Sequence, residues 1–360
     1  MHSSSESTTL RQKRRWLRFN LRTLLVLTLV FSCGLGWIAN ERRKNVRRQT
    51  DIDALRSFGC RFFVSLDDSF RPSRFDWLLA RKDVGIVNRM SSKNSSITDE
   101  GLEHLKGMTR LYELNLAGTA ITDAGLVHLK DLTSLNYLDL SGTKITDSGL
   151  KQLMGLTNLK RLNLSNTKIT DAGLTHLNGL TSLAYLELNH ADVGDDGLVH
   201  LKCLTNLNEL HLVGTKITDA GLVHLQGLTS LRGLELANTA VTDSGLMHLQ
   251  GLTHLVKLDL RATKITDFGL ENLKNLKQLQ ELYLLGTAIT DSGLTYLKRL
   301  TNLTQLDLSN TAITDSGLEH LMGLTKISKL DLRRTSVTRA GGAKLEEVLP
   351  NRLILYEYWK

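Results

Sequence analysis

From residue 87 onwards the chain repeats one pattern every 24 residues, without an insertion. Counted from the first leucine of the triplet L-x-x-L-x-L, or the residue in its place, copies start at residues 111, 135, 159, 183, 207, 231, 255, 279, 303 and 327, and a degenerate copy starts at residue 87. A fixed period of this length is typical of stacked architectures, in which each unit packs only against its neighbours. The repeat therefore argues against a compact, enzyme-like globule in this region.

Each copy predicts one short strand followed by a polar turn. In Leu159-x-x-Leu162-x-Leu164, the alternation of Leu162 and Leu164 marks a strand with one buried face. Successive strands can stack in parallel at about 4.8 Å. Thr167 follows the strand, and we expect its hydroxyl to bond backbone groups where the chain leaves the strand. The equivalent residues are Thr119, Thr143, Thr215, Thr239, Thr263, Thr287, Thr311 and Thr335.

A short helix completes the unit. We predict that Asp171 is its N-cap, with a carboxylate that accepts from backbone N–H groups at the positive end of the helix. Gly173 is expected to let neighbouring helices approach closely, and Leu174 and Leu177 are expected to face inward. The equivalent aspartates are Asp123, Asp147, Asp195, Asp219, Asp243, Asp267, Asp291 and Asp315. A single unit buries too little apolar surface to offset the entropy of ordering it, so only the stack should fold.

The pattern L-x-x-L-x-L-x-x-T followed by I-T-D-x-G-L-x-x-L resembles the leucine-rich repeat family. It looks most like the bacterial and cysteine-containing variants, and it covers about 270 residues of the chain. The resemblance implies an α/β fold, a right-handed leucine-rich-repeat solenoid or horseshoe, with parallel strands on the concave face and short helices on the convex face. It implies little about function, because one fold serves many functions.

The basic charge of the chain is confined to its N-terminus. Residues 1–50 contain 11 of the 45 Lys and Arg and two of the 37 Asp and Glu, which leaves 34 basic and 35 acidic residues in 51–360. The repeats therefore lack the positive surface that phosphate backbones require, and we expect no nucleic-acid partner.

Residues 21–39 form an apolar segment in which Arg22 is the one charged residue. Because about 20 apolar residues cross a bilayer, we predict a transmembrane signal-anchor helix here, in contact with the membrane. The predicted localisation is a single-pass membrane protein with its N-terminus in the cytoplasm and its repeats outside. Three alternatives are a cleaved signal peptide, a lipoprotein signal ending at Cys33, and a buried soluble helix.

The predicted organisation has five parts. They are a basic tail (1–20), the transmembrane helix (21–39), a juxtamembrane linker and N-terminal cap (40–86), eleven 24-residue leucine-rich repeats (87–350) and a C-terminal capping strand (351–360). Within the cap we predict a helix near 49–58 that stops at Gly59, a strand over 60–64 and a second helix near 73–81.

Motifs that suggest catalysis are explained by the repeat. The tripeptide Asp-Ser-Gly recurs where each helix needs a cap, and a recurring histidine, as at His176, occupies a slot that also accepts other polar residues. The three cysteines show no disulfide or zinc spacing. We therefore predict no enzymatic activity, no cofactor, no metal site and no small-molecule substrate.

The strand positions that vary between repeats are the candidate binding residues on the concave face. They are Tyr112, Tyr137, Asp139, Arg161, Tyr185, Glu187, His211, Glu235, Lys257, Asp259, Arg261, Tyr283, Asp307 and Asp331. One interpretation is an acidic stripe with tyrosine anchors that meets a basic partner. The other is that the acids keep an exposed sheet soluble. The repeat at 183–206 departs most from the pattern, at His190, Ala191 and Gly194 among others, which marks either a contact site or drift.

We therefore predict a membrane-anchored, non-enzymatic leucine-rich-repeat protein whose concave face binds another protein, with a glycan as the alternative ligand. The rival hypothesis is a substrate-recognition adaptor, because the repeats also resemble those of F-box leucine-rich-repeat proteins. The F-box itself is not recognisable in residues 1–86.

Overall fold

The computed structural model describes residues 21–65, 86–349 and 353–356. The chain divides into two compact units, one of residues 1–53 and 66–85 and one of residues 54–65 and 86–360. The first unit contains most of helix α1, Leu21–Ser57. The second unit contains the repeats.

The apolar segment 21–39 is not a separate helix. It is the N-terminal part of α1, which continues without a break through the basic residues Arg42, Arg43, Lys44, Arg47 and Arg48. Within residues 21–65, 86–349 and 353–356, no helix is apolar over enough of its length to cross a membrane. The predicted localisation, a single-pass membrane protein with extracytoplasmic repeats, is therefore wrong. The physical reason is that a spanning segment needs an uninterrupted apolar length, and charges are costly there.

In the described part of the second unit, one 13-stranded sheet has its strands in chain order. The strands are β1 Arg61–Ser65, β2 Ile86–Ser91, β3 Glu113–Asn115, β4 Tyr137–Asp139, β5 Arg161–Asn163, β6 Tyr185–Glu187, β7 Glu209–His211, β8 Gly233–Glu235, β9 Lys257–Asp259, β10 Glu281–Tyr283, β11 Gln305–Asp307, β12 Lys329–Asp331 and β13 Leu353–Leu355. From β2 onwards every neighbouring pair is parallel and in register, so Leu162 lies opposite Leu138 and Leu186. This confirms the predicted α/β solenoid.

A short helix follows each strand from β2 to β12. The helices are α2 Asp99–Leu102, α3 Asp123–Leu126, α4 Asp147–Leu150, α5 Asp171–Leu174, α6 Asp195–Leu198, α7 Asp219–Leu222, α8 Asp243–Leu246, α9 Asp267–Glu271, α10 Asp291–Leu297, α11 Asp315–Leu318 and α12 Arg339–Val348. The leucines of strand and helix are almost completely buried, as in Leu162, Leu164, Leu174 and Leu177. The core is therefore a continuous aliphatic layer between the sheet and the helices.

Both ends of the sheet have a closing strand. At the N-terminal end, β1 pairs antiparallel with β2. It follows α1 after Gly59, whose φ of 83° favours glycine, close to the predicted stop and strand. The predicted helix over 73–81 lies outside the described residues. At the C-terminal end, β13 pairs parallel with β12.

The threonine that follows each strand is buried and bonds as expected. Thr167 donates its hydroxyl to the carbonyl oxygen of Leu164 at 2.6 Å, and Thr143 and Thr215 do the same within their own repeats. This confirms the predicted backbone bond. Each hydroxyl gives a buried carbonyl of the turn a short donor, and at Leu140 and Leu212 the N–H of the same threonine also donates to that carbonyl at 3.3 Å.

The recurring aspartate does not cap its own helix, so the N-cap prediction is wrong. The N-cap is the threonine before it, as with Thr146 before Asp147. The aspartate instead accepts from the next repeat: Asp123 Oδ1 accepts from the N–H of Thr146 at 2.7 Å, and Asp123 Oδ2 accepts from its hydroxyl at 2.6 Å. We call this aspartate–threonine pair a junction, because it joins one repeat to the next.

The glycine two residues after each aspartate makes room for the junction. A Cβ at Gly149 would collide with the carboxylate of Asp123 and stand 2.9 Å from Leu126 Cδ1. The expected close approach between repeats is therefore confirmed, and the group that needs the space is the carboxylate of the preceding repeat.

Candidate functional site

The first and third residues of strands β3 to β12 form what we call the sheet face. The middle residue of each strand is a buried leucine, so the flanking residues point away from the core. Because the strands are in register, first residues lie opposite first residues and third residues opposite third residues. The sheet face therefore consists of two adjacent rows of side chains.

Most of the acidic residues in the second row close the turn of their own repeat. Asp139 accepts from the N–H of Ser141 at 3.0 Å, and Asp307 accepts from that of Ser309 at 2.9 Å. Asn163 makes the equivalent bond to Ser165 at 2.9 Å. Asp and Asn are the side chains whose length suits such a local bond. The predicted acidic stripe is thus largely tied into the backbone.

Two aspartates of this row are also paired with arginines. Asp259, 1% exposed in its side chain, binds Arg261 through both carboxylate oxygens, at distances of 2.5 to 3.0 Å. Asp331 binds Arg333 in the same way. Burial favours the neutral acid, but the bonds from Arg333 outweigh it and lower the pKa of Asp331. These two positions present satisfied ion pairs rather than open carboxylates.

On β6, β7 and β8 the second row changes. It carries Glu187, His211 and Glu235, of which none is an Asp or Asn. Together with Tyr185 and Glu209 of the first row, we call these five residues the central block. The first and third positions of these strands carry three glutamates and neither lysine nor arginine. The central block is therefore the acidic part of the face that does not serve the turns.

His211 is the centre of the block. Its side chain is 12% exposed, its Nε2 lies 3.6 Å from Glu209 Oε2, and its Nδ1 lies 3.7 Å from Glu235 Oε2. The Tyr185 ring meets the imidazole edge to face, with centroids 4.9 Å apart. Gly233 leaves the space into which the Glu209 carboxylate leans, because a Cβ there would collide with it.

The tyrosines of the face remain protonated donors. Burial, and then the charge of Asp139, raise the pKa of Tyr137 to about 12. Burial, and then the charge of Glu187, raise the pKa of Tyr185. The Arg161 guanidinium lies 4.8 Å from the centroid of the Tyr185 ring, which fixes that ring by a cation–π contact.

A second cluster adjoins the block on β9 and β10. Lys257 Nζ lies 2.7 Å from Glu235 Oε1 and 5.9 Å from the centroid of the Tyr283 ring. Burial favours the neutral amine, but the bond to Glu235 and nearby carboxylates outweigh it, so the pKa of Lys257 is raised. The Arg261 guanidinium also lies 5.6 Å from that ring. The Tyr283 hydroxyl donates to Glu281 at 2.9 Å.

The structure thus brings together only part of the predicted set. Arg161, Tyr185, Glu187, His211, Glu235, Lys257, Asp259, Arg261 and Tyr283 lie on or directly after β5 to β10. Tyr137 and Asp139 bond to each other on β4, whereas Asp307 and Asp331 lie on β11 and β12. Tyr112 precedes β3 and is 44% exposed. The predicted set omitted Glu209 and Gly233, although a glycine in the first row was a visible signal.

Among the described residues, no group of three or more His, Cys, Asp and Glu is placed to hold a metal ion. The recurring histidines lie on the helix side, where His248 Nδ1 is 3.0 Å from Gln226 Nε2 of the preceding repeat. The described cysteines are free, with Cys60 buried and Cys33 and Cys203 exposed.

Two leucine rich repeat models match the chain, one over residues 109–169 and one over residues 179–202, 203–225, 251–274 and 299–322. No curated protein matches it.

Solved structures of similar fold include an internalin (inlF) from Listeria monocytogenes, with 25% identity, a TM-score of 0.56 and coverage of 76% of this chain and 87% of that one. The functional domain of InlJ from Listeria monocytogenes, which includes a cysteine ladder, has 23% identity and a TM-score of 0.55 over 76% of this chain and 54% of that one. A TDR receptor has 16% identity and a TM-score of 0.51 over 76% and 51%. The last two show the fold alone. The cysteine-containing type is not confirmed for this chain.

Proposed function

Because the repeats of this chain are leucine-rich repeats in sequence and fold, we propose that it is a binding protein that recognises another protein through its sheet face. The contact is centred on the central block and on Lys257 and Tyr283 beside it. This proposal concerns binding without catalysis.

The observation that supports the proposal is the change of residue type in the second row. On β3, β4, β5, β9, β11 and β12 this row carries Asp or Asn, whose side chains close the turn. At Glu187, His211 and Glu235 the fold gives up that local bond and presents longer side chains instead. Tyr283 on β10, in the adjoining cluster, is the other position of this row that is neither Asp nor Asn. A purely solubilising face would have no reason to carry Glu at Glu187 and Glu235 where most strands carry Asp or Asn, since Asp is as soluble as Glu.

The charge of the block indicates the chemistry of the partner. Three glutamates lie on neighbouring strands, and the nearest basic residues, Arg161 and Lys257, flank the block on β5 and β9. A partner surface with basic residues at its centre would complement this arrangement. Tyr185 adds a large side chain that is already held in place, which lowers the entropy cost of binding.

A crosslinking capture with the full chain tests the proposal. Partners captured from the native source by the wild-type chain are compared with those of Tyr185→Ala/Glu187→Gln/Glu235→Gln. The matched control is Gln305→Ala/Lys329→Ala, two substitutions in the first row of β11 and β12. We expect the partner to be lost with the block variant and kept with the control.

Two outcomes would contradict the proposal. The block variant could retain the partner, or both variants could lose it equally while circular dichroism shows that both are folded. Either result would indicate that the acidic residues of the face keep the sheet soluble and do not bind a partner.

The adaptor hypothesis is not favoured, because the similar structure at 25% identity is an internalin. For the proposed absence of catalysis, the support is that Lys257 and Asp259 are held in ion pairs and that the phenol of Tyr137 stays protonated. Turnover by the purified chain of ester, phosphoester or glycoside substrates, abolished in the block variant, would overturn it.

A further inference from the structure

The repeat at 183–206 lacks two of the hydroxyl groups that other repeats carry in their turns. Ala191 replaces the threonine that follows the strand, and Gly194 replaces the threonine of the junction. Gly194 N–H still donates to Asp171 Oδ1 at 2.6 Å. In every other junction from Asp99 to Asp315, a threonine hydroxyl donates to Oδ2 of the aspartate. Within the described part of the chain, no hydroxyl donates to Asp171 Oδ2.

A depression of about 380 Å³ lies at this turn. Ala191 and Asp192 line it from the irregular repeat, Lys168 from the repeat before and Lys216 from the repeat after. A Cβ on Gly194 would stand 3.4 Å from Asp171 Oδ2 and 3.9 Å from the Cβ of Lys216. The position that a threonine hydroxyl would occupy, which we call the vacated position, is therefore beside the depression, between Asp171 Oδ2 and Lys216. The volume of the depression is at the lower end of the range of ligand pockets.

The charges around the depression balance. Lys216 Nζ pairs with Asp192 Oδ1 at 2.5 Å. Lys168 supplies a second ammonium group, and Asp171 supplies a second carboxylate next to the vacated position. An anion would meet the carboxylate of Asp192 in the lining and that of Asp171 beside the vacated position, and a cation would meet the two ammonium groups. A hydroxyl group can both donate to the carboxylates and accept from the ammonium groups, so a neutral polyhydroxylated ligand fits this set of partners.

His190 gives the depression one flat wall. Its backbone has a φ of 58°, a left-handed conformation that histidine adopts more readily than most residues. Its ring lies against Gly214 of the next repeat, where a Cβ would collide with the imidazole. The residue is exposed, and one side of its ring lies against the turn of the next repeat.

We propose that this depression binds a saccharide unit. One ligand hydroxyl donates to Asp171 Oδ2 in place of the missing threonine, others bond between Lys168 and Asp192, and the sugar ring packs against His190. The site is separate from the sheet face, so the proposal does not depend on the proposed function.

The test uses the full chain and saturation-transfer-difference NMR with the methyl glycosides of glucose, galactose, mannose and N-acetylglucosamine. Wild type is expected to bind at least one of them. Gly194→Thr fills the vacated position and supplies the hydroxyl, so it should weaken binding by about tenfold or more while the urea midpoint of unfolding rises. That rise would separate lost binding from lost folding.

Lys168→Ala should also weaken binding, whereas Lys264→Ala, at the equivalent position of a turn outside the depression, should not. The proposal is overturned if none of the four glycosides binds wild type, if Gly194→Thr binds as wild type does, or if the two lysine variants lose binding equally. Displacement of the glycoside by inorganic phosphate at equal concentration would also overturn it, because the site would then prefer an anion.

Discussion

Nine junctions between neighbouring repeats are joined by two hydrogen bonds from one threonine to one aspartate, as in Thr242 to Asp219. The junction between Asp171 and Gly194 has only the backbone bond. The strands on both sides of that junction pair in the same register as the other parallel strands of the sheet. Stacking of the leucines therefore maintains the solenoid even where the side-chain half of a junction is missing.

The largest effect should come from removing a complete junction. Asp219→Ala leaves the N–H and the hydroxyl of Thr242 without their acceptor, now 2.7 and 2.6 Å away. We expect a loss of about 2–4 kcal/mol in the free energy of unfolding. Asp171→Ala removes one bond and should cost about half as much. Urea unfolding of both variants measures the difference, and equal losses would show that the hydroxyl bond contributes nothing.

The next effect concerns the space that a junction needs. Gly245→Ala would push a methyl group into the carboxylate of Asp219 and to 3.0 Å from Leu222 Cδ1. We expect a loss of about 2–3 kcal/mol, because the carboxylate must leave its threonine or the repeats must separate. The control is Gly251→Ala, whose Cβ would meet nothing within 4 Å. A thermal midpoint that falls equally in both variants would contradict this account.

A smaller effect of opposite sign should follow from repairing the irregular junction. Gly194 has an extended backbone, with φ −120° and ψ −161°, so a threonine fits there without strain. Gly194→Thr should stabilise the chain by about 1–2 kcal/mol, through the restored hydroxyl bond and the reduced entropy of the unfolded chain. An unchanged or lower urea midpoint would show that a threonine at residue 194 does not form the missing hydroxyl bond to Asp171.

The smallest effect lies on the sheet face, on a regular strand. The pKa of Tyr137 is raised from its usual 10.0 to about 12, so the folded chain keeps this proton when the unfolded chain has lost it. The stabilising contribution is therefore complete below about pH 10 and is lost as the pH rises towards about 12. Allowing for solvent screening of this partly exposed group, we expect a loss of about 1 kcal/mol.

Comparison of wild type with Tyr137→Phe isolates that contribution. The urea midpoint of wild type should fall more steeply between about pH 9.5 and 11.5 than that of the variant, because phenylalanine has no proton to release. Parallel slopes would mean that burial and Asp139 do not raise the pKa of Tyr137 in the folded chain.

The sequence predicted the repeated strand, the buried leucines and the threonine bond because each depends on contacts within one repeat. The prediction from sequence failed where a side chain bonds to the neighbouring repeat. Asp123 was expected to cap its own helix, whereas its partner is Thr146, which is 23 residues away and comes near only when the repeats stack. The prediction of a transmembrane helix in the N-terminal segment failed for a related reason. The length of the apolar stretch did not show that the helix continues into charged residues.

The candidate site was predicted as a set of variable positions. The structure shows which of these side chains are bonded within turns and ion pairs and which are not. Asp139, Asp259 and Asp331 were indistinguishable by sequence from open acids, yet they close turns or pair with neighbouring groups. Glu187 and Glu235 have one more methylene group, so they do not follow the Asp and Asn pattern of the row. That difference was visible in the sequence, but its meaning depended on knowing which bond the shorter side chains make.

The sequence by itself determined the period, the order of elements and the aliphatic core, because burial on a fixed 24-residue repeat leaves one way to pack. Only the tertiary structure decided which repeat each polar side chain serves. Hydrogen bonds reach about 3 Å, and the distances between groups in successive repeats are set by the stacking of the backbone rather than by the order of residues along the chain.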